Sequence, residues 1–147
     1  MPMLRDHLLV EDKRRRVIQD AERLVDAEVQ GKSGISGFAI KAGYKAVRAI
    51  KPALIPEAID HLMDRFVERL EPYFATWDSS GRATSFERYL SERKADVANA
   101  LLGVTDERAR HSHGTVKATY ERLRPQGQKN VEAAVPGIGR IIDDNIR

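Results

Sequence analysis

Apolar residues recur every three or four positions along almost the whole chain. That is the spacing of one face of an α-helix, not the alternation of a strand. Met3, Leu4, Leu8 and Leu9 predict a short lead-in helix. Val17, Ile18, Ala21, Leu24, Val25 and Val29 line one side of a long helix to about residue 29, with Asp12 as its N-cap. Ile55, Ile59, Leu62, Phe66 and Leu70 form an unbroken stripe to about residue 71, behind Pro52 and Pro56. After Pro72, the cluster Tyr73, Phe74 and Trp77 reads as an aromatic plug in the core. Thr84-Ser85-Phe86-Glu87 has capping-box spacing ahead of a helix burying Phe86, Leu90, Val97, Leu101 and Val104. Thr105 is placed to cap a short helix from Asp106. Val116, Tyr120 and Leu123 mark a helix over 115–124. A turn at Gln126-Gly127-Gln128 separates it from a last helix bearing Val131, Val135, Ile138, Ile142 and Ile146, kinked at Pro136-Gly137.

The helix over about 37–50 is patterned differently. At 100° per residue, Ala39, Ala42, Gly43, Ala46, Val47, Ala49 and Ile50 sweep half the circumference. Lys41, Lys45 and Arg48 fall on a narrow opposite stripe. Small side chains let neighbouring backbones come close, so this helix is expected to sit deep, with only its basic edge in water. A leucine at Gly43 would then overfill the contact and cost about 1–3 kcal/mol.

Part of this stretch returns later in the chain. Ala39-Ile40-Lys41-Ala42-Gly43-Tyr44 corresponds to Thr115-Val116-Lys117-Ala118-Thr119-Tyr120. Leu24-Val25-Asp26 pairs with Leu101-Leu102-Gly103, Ser36-Gly37 with His113-Gly114, and Glu57-Ala58-Ile59 with Glu132-Ala133-Ala134, at nearly one offset. Such a period points to a duplicated unit. The expectation is an all-α, single-domain bundle over residues 1–147 with about six main helices. It would comprise two related three-helix units, 12–77 and 84–147, joined near 78–83 at Asp78-Ser79-Ser80-Gly81-Arg82.

Composition narrows the class. The 147 residues suffice for one sizeable core, and 41% hydrophobic with 32% charged residues is the balance of a globular chain. The absence of Cys excludes disulfides, thiolate metal sites and a cysteine nucleophile, and agrees with a cytoplasmic setting. No leader is visible in the first residues, and no apolar run approaches the 18 or more residues of a membrane span. No membrane partner is therefore expected. A net charge of +3 permits polyanion binding without arguing for it.

Catalytic chemistry leaves little trace. His7, His61, His111 and His113 have no third ligand at motif spacing, so neither a metal nor another cofactor is expected. No serine sits in a nucleophile elbow, and no carboxylate pair has catalytic spacing. Gly31-Lys32-Ser33 lacks the glycine five positions earlier that a phosphate loop requires, since position 26 is Asp26. What remains there is a helix start, which attracts anions, with Ser36 as its cap and Lys32 nearby. Together with Lys41, Lys45 and Arg48, these two form the candidate anion-binding set. The run Lys13-Arg14-Arg15-Arg16 is read first as a solvated face.

Three binding classes follow. The leading expectation is a non-enzymatic protein-interaction module, with self-association included. The first alternative is a nucleic-acid or phosphate binder using Lys13–Arg16 and the stripe Lys41, Lys45, Arg48 and Lys51. The second is a carrier of a small apolar ligand between the halves, near Phe66, Tyr73, Trp77 and Leu101. Gly34-Ile35-Ser36-Gly37, Lys41-Ala42-Gly43-Tyr44, Lys51-Pro52 and Val131-Glu132-Ala133-Ala134-Val135-Pro136 carry a resemblance over almost the whole chain. The chain resembles a small family of bacterial helical proteins of about this length, catalogued as a domain of unknown function. The resemblance implies a cytoplasmic bacterial setting and assigns no functional residue.

Overall fold

A computed structural model describes residues 3–146, apart from the side chain of Ser36. It is all-α, with seven helices among the described residues: α1 Leu4–Leu8, α2 Glu11–Gln30, α3 Gly34–Ile50, α4 Leu54–Ser79, α5 Phe86–Ser91, α6 Lys94–Arg110 and α7 Gly114–Asn145. The seventh helix is the short lead-in α1, added to the six main ones expected, and the apolar stripe over 86–104 is broken at Glu92 and Arg93, which separates α5 from α6. Thr105 accordingly lies inside α6 and caps nothing. Towards the C-terminus the opposite happens. The turn expected at Gln126–Gln128 is absent, and α7 continues through Pro125 and Pro136 for 32 residues. Likewise α4 continues through Pro72. Each proline removes one backbone donor; burial of Leu70 and Phe74 beside Pro72 and of Val135 beside Pro136 offsets that loss, and beside Pro125 Arg124 is tied to Asp106.

Helix starts also differ from expectation. α2 begins at Glu11 with Val10 at its N-cap, so Asp12 sits inside the first turn, where its charge favours the positive end of the helix. At α5 the N-cap is Ser85, not Thr84, and Ser85 Oγ accepts from Arg88 N at 3.1 Å. The other two free donors of this turn, Phe86 N and Glu87 N, reach the two carboxylate oxygens of Asp143 on α7, at 2.9 and 3.0 Å. A distant carboxylate thus completes the cap that Glu87 was expected to supply.

The core gathers Leu4 and Leu8 of α1, Val17 of α2, and Met63, Val67, Leu70, Phe74 and Trp77 of α4. It also takes Phe86 and Leu90 of α5, Val97 and Leu101 of α6, and Val135 and Ile142 of α7. Of the expected aromatic plug, Phe74 and Trp77 are buried and Tyr73 is half-buried; Phe86 joins the first two edge to face or tilted, with centroids 4.9–5.8 Å apart. The Trp77 indole donates to Thr84 O at 2.9 Å, which satisfies its one polar atom. On α4 the buried stripe is offset from the expected one. Met63 and Val67 face the core, while Ile59 and Phe66 are half-buried beside it.

No residue of α3 belongs to that core. The expectation that residues 37–50 lie deep, with the alanine-rich side inward, is overturned. Gly37 and Tyr44 are the buried positions of the helix, with Ile40, Lys41 and Val47 half-covered beside them. Ala39, Ala42, Gly43, Ala46 and Ala49 all face water. The reason lies in area. Burial stabilises by about 25 cal/mol per Å² of apolar surface, so tyrosine, isoleucine and valine gain more from the body than alanine and glycine do. A β-carbon built on Gly43 meets nothing within 4 Å, so the overfilling expected there has no contact to overfill.

Candidate functional site

The polar loop Gly31–Ser33 leads into α3, whose first residue Gly34 has φ 75°, in the left-handed region that glycine enters without strain. The chain then folds tightly on itself, because a β-carbon at Gly37 would sit 2.7 Å from the carbonyl carbon of Lys32. These constraints set the rotation of α3 on the body. With Gly37, Ile40, Tyr44 and Val47 turned inward, 100° per residue carries Phe38, Ala49, Ala42, Ile35, Ala46, Ala39 and Ile50 outward on one arc. Its large members are nearly free of contacts: Ile35 is 92% exposed, Phe38 76% and Ile50 83%. Leu54, the first residue of α4, is also exposed.

Of the sequence-derived anion set, Lys41, Lys45 and Arg48 lie along one flank of this arc, while Lys32 precedes the helix and Ser36 does not share that flank. Lys32 approaches Glu28 at 4.0 Å. Ser36 is in the first turn of α3 and Ser33 takes the N-cap position, so Ser36 is not the cap; its side chain lies outside the described residues. Lys41 is half-buried and Lys45 exposed, and neither has an ion pair among the described residues. Arg48 donates to the Tyr44 hydroxyl at 3.2 Å and lies 5.7 Å from its ring centroid. The field of Glu22 and Asp26 on α2 also reaches Arg48. Lys51 pairs with Glu57 at 3.0 Å. The earlier cationic run is partly consumed by the fold. Lys13 Nζ donates to Asn145 O at 2.6 Å, and Arg14 bridges Asp60 and Asp64 at 2.9 and 2.7 Å. Only Arg15 and Arg16 of that run face water.

A second arrangement went unnoticed in the sequence. Between α6 and α7 a cleft of about 430 Å³ is lined by Asp106, Ala109, Arg110, Lys117, Tyr120, Glu121 and Arg124. Arg124 grips Asp106 with both arms, Nε to Oδ1 at 2.8 Å and Nη2 to Oδ2 at 3.0 Å. The Tyr120 hydroxyl donates to the same Oδ1, and Thr105 Oγ1 lies 2.8 Å from the phenol oxygen. The Arg124 hydrogen bonds hold the Asp106 carboxyl below the usual carboxylate range, while burial first, and then Asp106, push the Tyr120 phenol up. Both groups are therefore fixed in one protonation state at neutral pH. Their arrangement suits a staple between helices, not proton transfer. The available signal was a spacing. Tyr120 and Arg124 repeat the four-residue separation of Tyr44 and Arg48.

Other expected chemistry is dispersed. His111 and His113 occupy the C-cap of α6 and the N-cap of α7. Among the described residues no three His, Asp or Glu side chains are grouped to hold a metal ion. Trp77 and Leu101 belong to the packed core, with Phe66 and Tyr73 against it, and none of the four lines the cleft beside α7. No helix among the described residues is long and apolar enough to cross a membrane.

Helical layers around one aromatic-centred core, with an apolar helix left outside, define an all-α protein of unassigned activity. The chain belongs to a family of unknown function (DUF6918), whose model matches residues 4–146. No curated protein and no solved structure matches it.

Proposed function

We propose that the protein is a non-enzymatic binding module and that α3 is its binding element. The observation that carries this reading is the outward arc of α3, where Ile35, Phe38 and Ile50 stand 92%, 76% and 83% exposed. Scattered exposed apolar residues are ordinary, but a continuous arc on one helix marks an interaction surface. Folding does not require these side chains, since none of them belongs to the core. The polar cleft beside α7 supports the same reading from the other side, because Asp106, Tyr120 and Arg124 there already satisfy one another.

The test is the double variant Ile35→Ser/Phe38→Ser, followed by thermal unfolding and by binding of an environment-sensitive apolar dye. An unchanged or raised Tm with weaker dye binding is expected. A Tm lowered by several degrees would mean that the face serves folding, and the reading would fall.

A further inference from the structure

Resting on α3 as the binding element, we infer that its occupant is an anionic lipid surface, on which the helix lies flat with Ile35, Phe38 and Ile50 in the interfacial region and Lys41, Lys45 and Arg48 against the headgroups. The argument is charge and shape together. From Val29 to Pro56 the chain contains five cations and no acidic residue. Lys41 and Lys45 lack an ion pair among the described residues, and the carboxylates near Arg48, Glu22 and Asp26, lie on α2. Lys45 borders the apolar arc: at 100° per residue it falls next to Phe38 on the helix circumference, and Lys41 and then Arg48 continue from it on the same flank towards the buried Gly37. An occupant must therefore present hydrocarbon and negative charge side by side, as an anionic bilayer surface does. Long Lys and Arg stems can lie along the apolar boundary while their heads reach phosphates.

Three other occupants fit less well. A second copy placing its own α3 on this face would bring the same cations and no acid to meet them. A nucleic acid would use the cations and leave Ile35, Phe38 and Ile50 in water. A groove on another protein would have to enclose a convex ridge, since the large side chains stand almost free of neighbours. A soft interface accepts such a ridge without a preformed cavity. The binding is peripheral, so it is compatible with the absence of a spanning helix among the described residues, although it departs from the sequence-based expectation of no membrane partner.

The experiment is flotation of the full chain with vesicles of phosphatidylcholine alone and with about one-third phosphatidylglycerol. Co-flotation with the anionic vesicles only, weakening as salt is raised, is expected. Lys41→Gln/Lys45→Gln should weaken partitioning about 30-fold, from about 1 kcal/mol for each cation near the surface. Phe38→Ser should weaken it by about tenfold or more. In Phe38→Trp, the added indole should shift to the blue on anionic vesicles alone. No flotation with either vesicle overturns the lipid assignment. So does equal flotation with both, or salt-sensitive binding to duplex DNA that Phe38→Ser leaves unchanged. Association that grows with concentration and is abolished by Ile35→Ser/Phe38→Ser would instead assign the face to a second copy. If flotation fails while that double variant keeps its Tm and loses dye binding, α3 remains a binding element and only the lipid is excluded.

Discussion

Glu87 and Gly139 meet backbone to backbone: a β-carbon on residue 139 would lie 2.4 Å from the α-carbon of Glu87 and 3.0 Å from its nitrogen. At the next residue and again one turn further along α7, the contact is fastened by polar groups. Arg140 pairs with the Glu87 carboxylate at 3.0 Å, and Asp143 takes the two free N–H groups that open α5. The absence of one methyl group lets α5 sit close enough for Asp143 to act as its cap.

Gly139→Ala should therefore be costly, because backbone and not a flexible side chain stands in the way. A loss of about 1–3 kcal/mol is expected, read as a lower midpoint in urea unfolding. Gly103→Ala is the control. Its β-carbon would be 3.0 Å from the Arg69 guanidinium, which can swing aside. Better helix propensity should then leave that variant unchanged or stabilised by up to about 1 kcal/mol. Equal losses in the two variants would refute the close-approach account.

Phe86 is fully buried and touches both Phe74 and Trp77. Phe86→Ala should cost about 3–5 kcal/mol and admit water beside the indole. The emission of Trp77, the only tryptophan, should move to the red in the variant under native conditions. A native spectrum with unchanged stability would place the plug elsewhere.

Asp106 supplies a pH dependence whose direction is determined. Its carboxyl is held low in the folded chain, mainly by Arg124, so the unfolded chain takes up the proton first as pH falls. The stabilisation is whole at neutral pH, declines below about pH 4, and is gone once the folded carboxyl is protonated too. Asp106→Asn should lower Tm at pH 7, and its deficit relative to wild type should shrink as pH is lowered through this range. A deficit that stays constant with pH would show that lost packing, not ionisation, is responsible.

Gly43 faces open space on α3, with nothing within 4 Å of where a β-carbon would be. Gly43→Ala should raise stability by about 0.5–1 kcal/mol through reduced backbone entropy of the unfolded chain and better helix propensity. A loss of 1 kcal/mol or more would restore the idea of a deep helix and remove the outward binding face.

Spacing alone was enough to mark the helical class, the aromatic plug and the buried faces of α5 and α6. Large apolar residues such as Phe86, Leu90, Val97 and Leu101 leave the chain no better use than burial. Spacing also placed Lys41, Lys45 and Arg48 together, because an angle around a helix is a local property. It could not say which side of α3 faces the body. The expectation favoured many small residues over a few large ones, whereas Tyr44, Ile40 and Val47 prevailed by area. Helix ends were misjudged where local signals met tertiary packing. Pro125 and Pro136 reads as interruption, yet one side of α7 is held by the core at Val135 and Ile142. The pairing of Asp106 with Arg124 joins residues 18 positions apart on two helices and leaves no periodic trace. The duplication remains our proposal. The shared spacing of Tyr44 to Arg48 and Tyr120 to Arg124 is consistent with it, whereas the positive-φ helix starts Gly34 and Gly114 stand at different distances from those tyrosines.

At 1.5 Å per residue, the 32 residues of α7 make a rod about 48 Å long. A compact chain of 147 residues has a radius of gyration near 15 Å, and a ball of that size is roughly 38 Å across. A rod longer than that ball elongates the body, and its first half, where Lys117, Glu121 and Arg122 are exposed, is held to α6 by the Asp106–Arg124 pair. The charge on that half keeps its uncovered side dissolved.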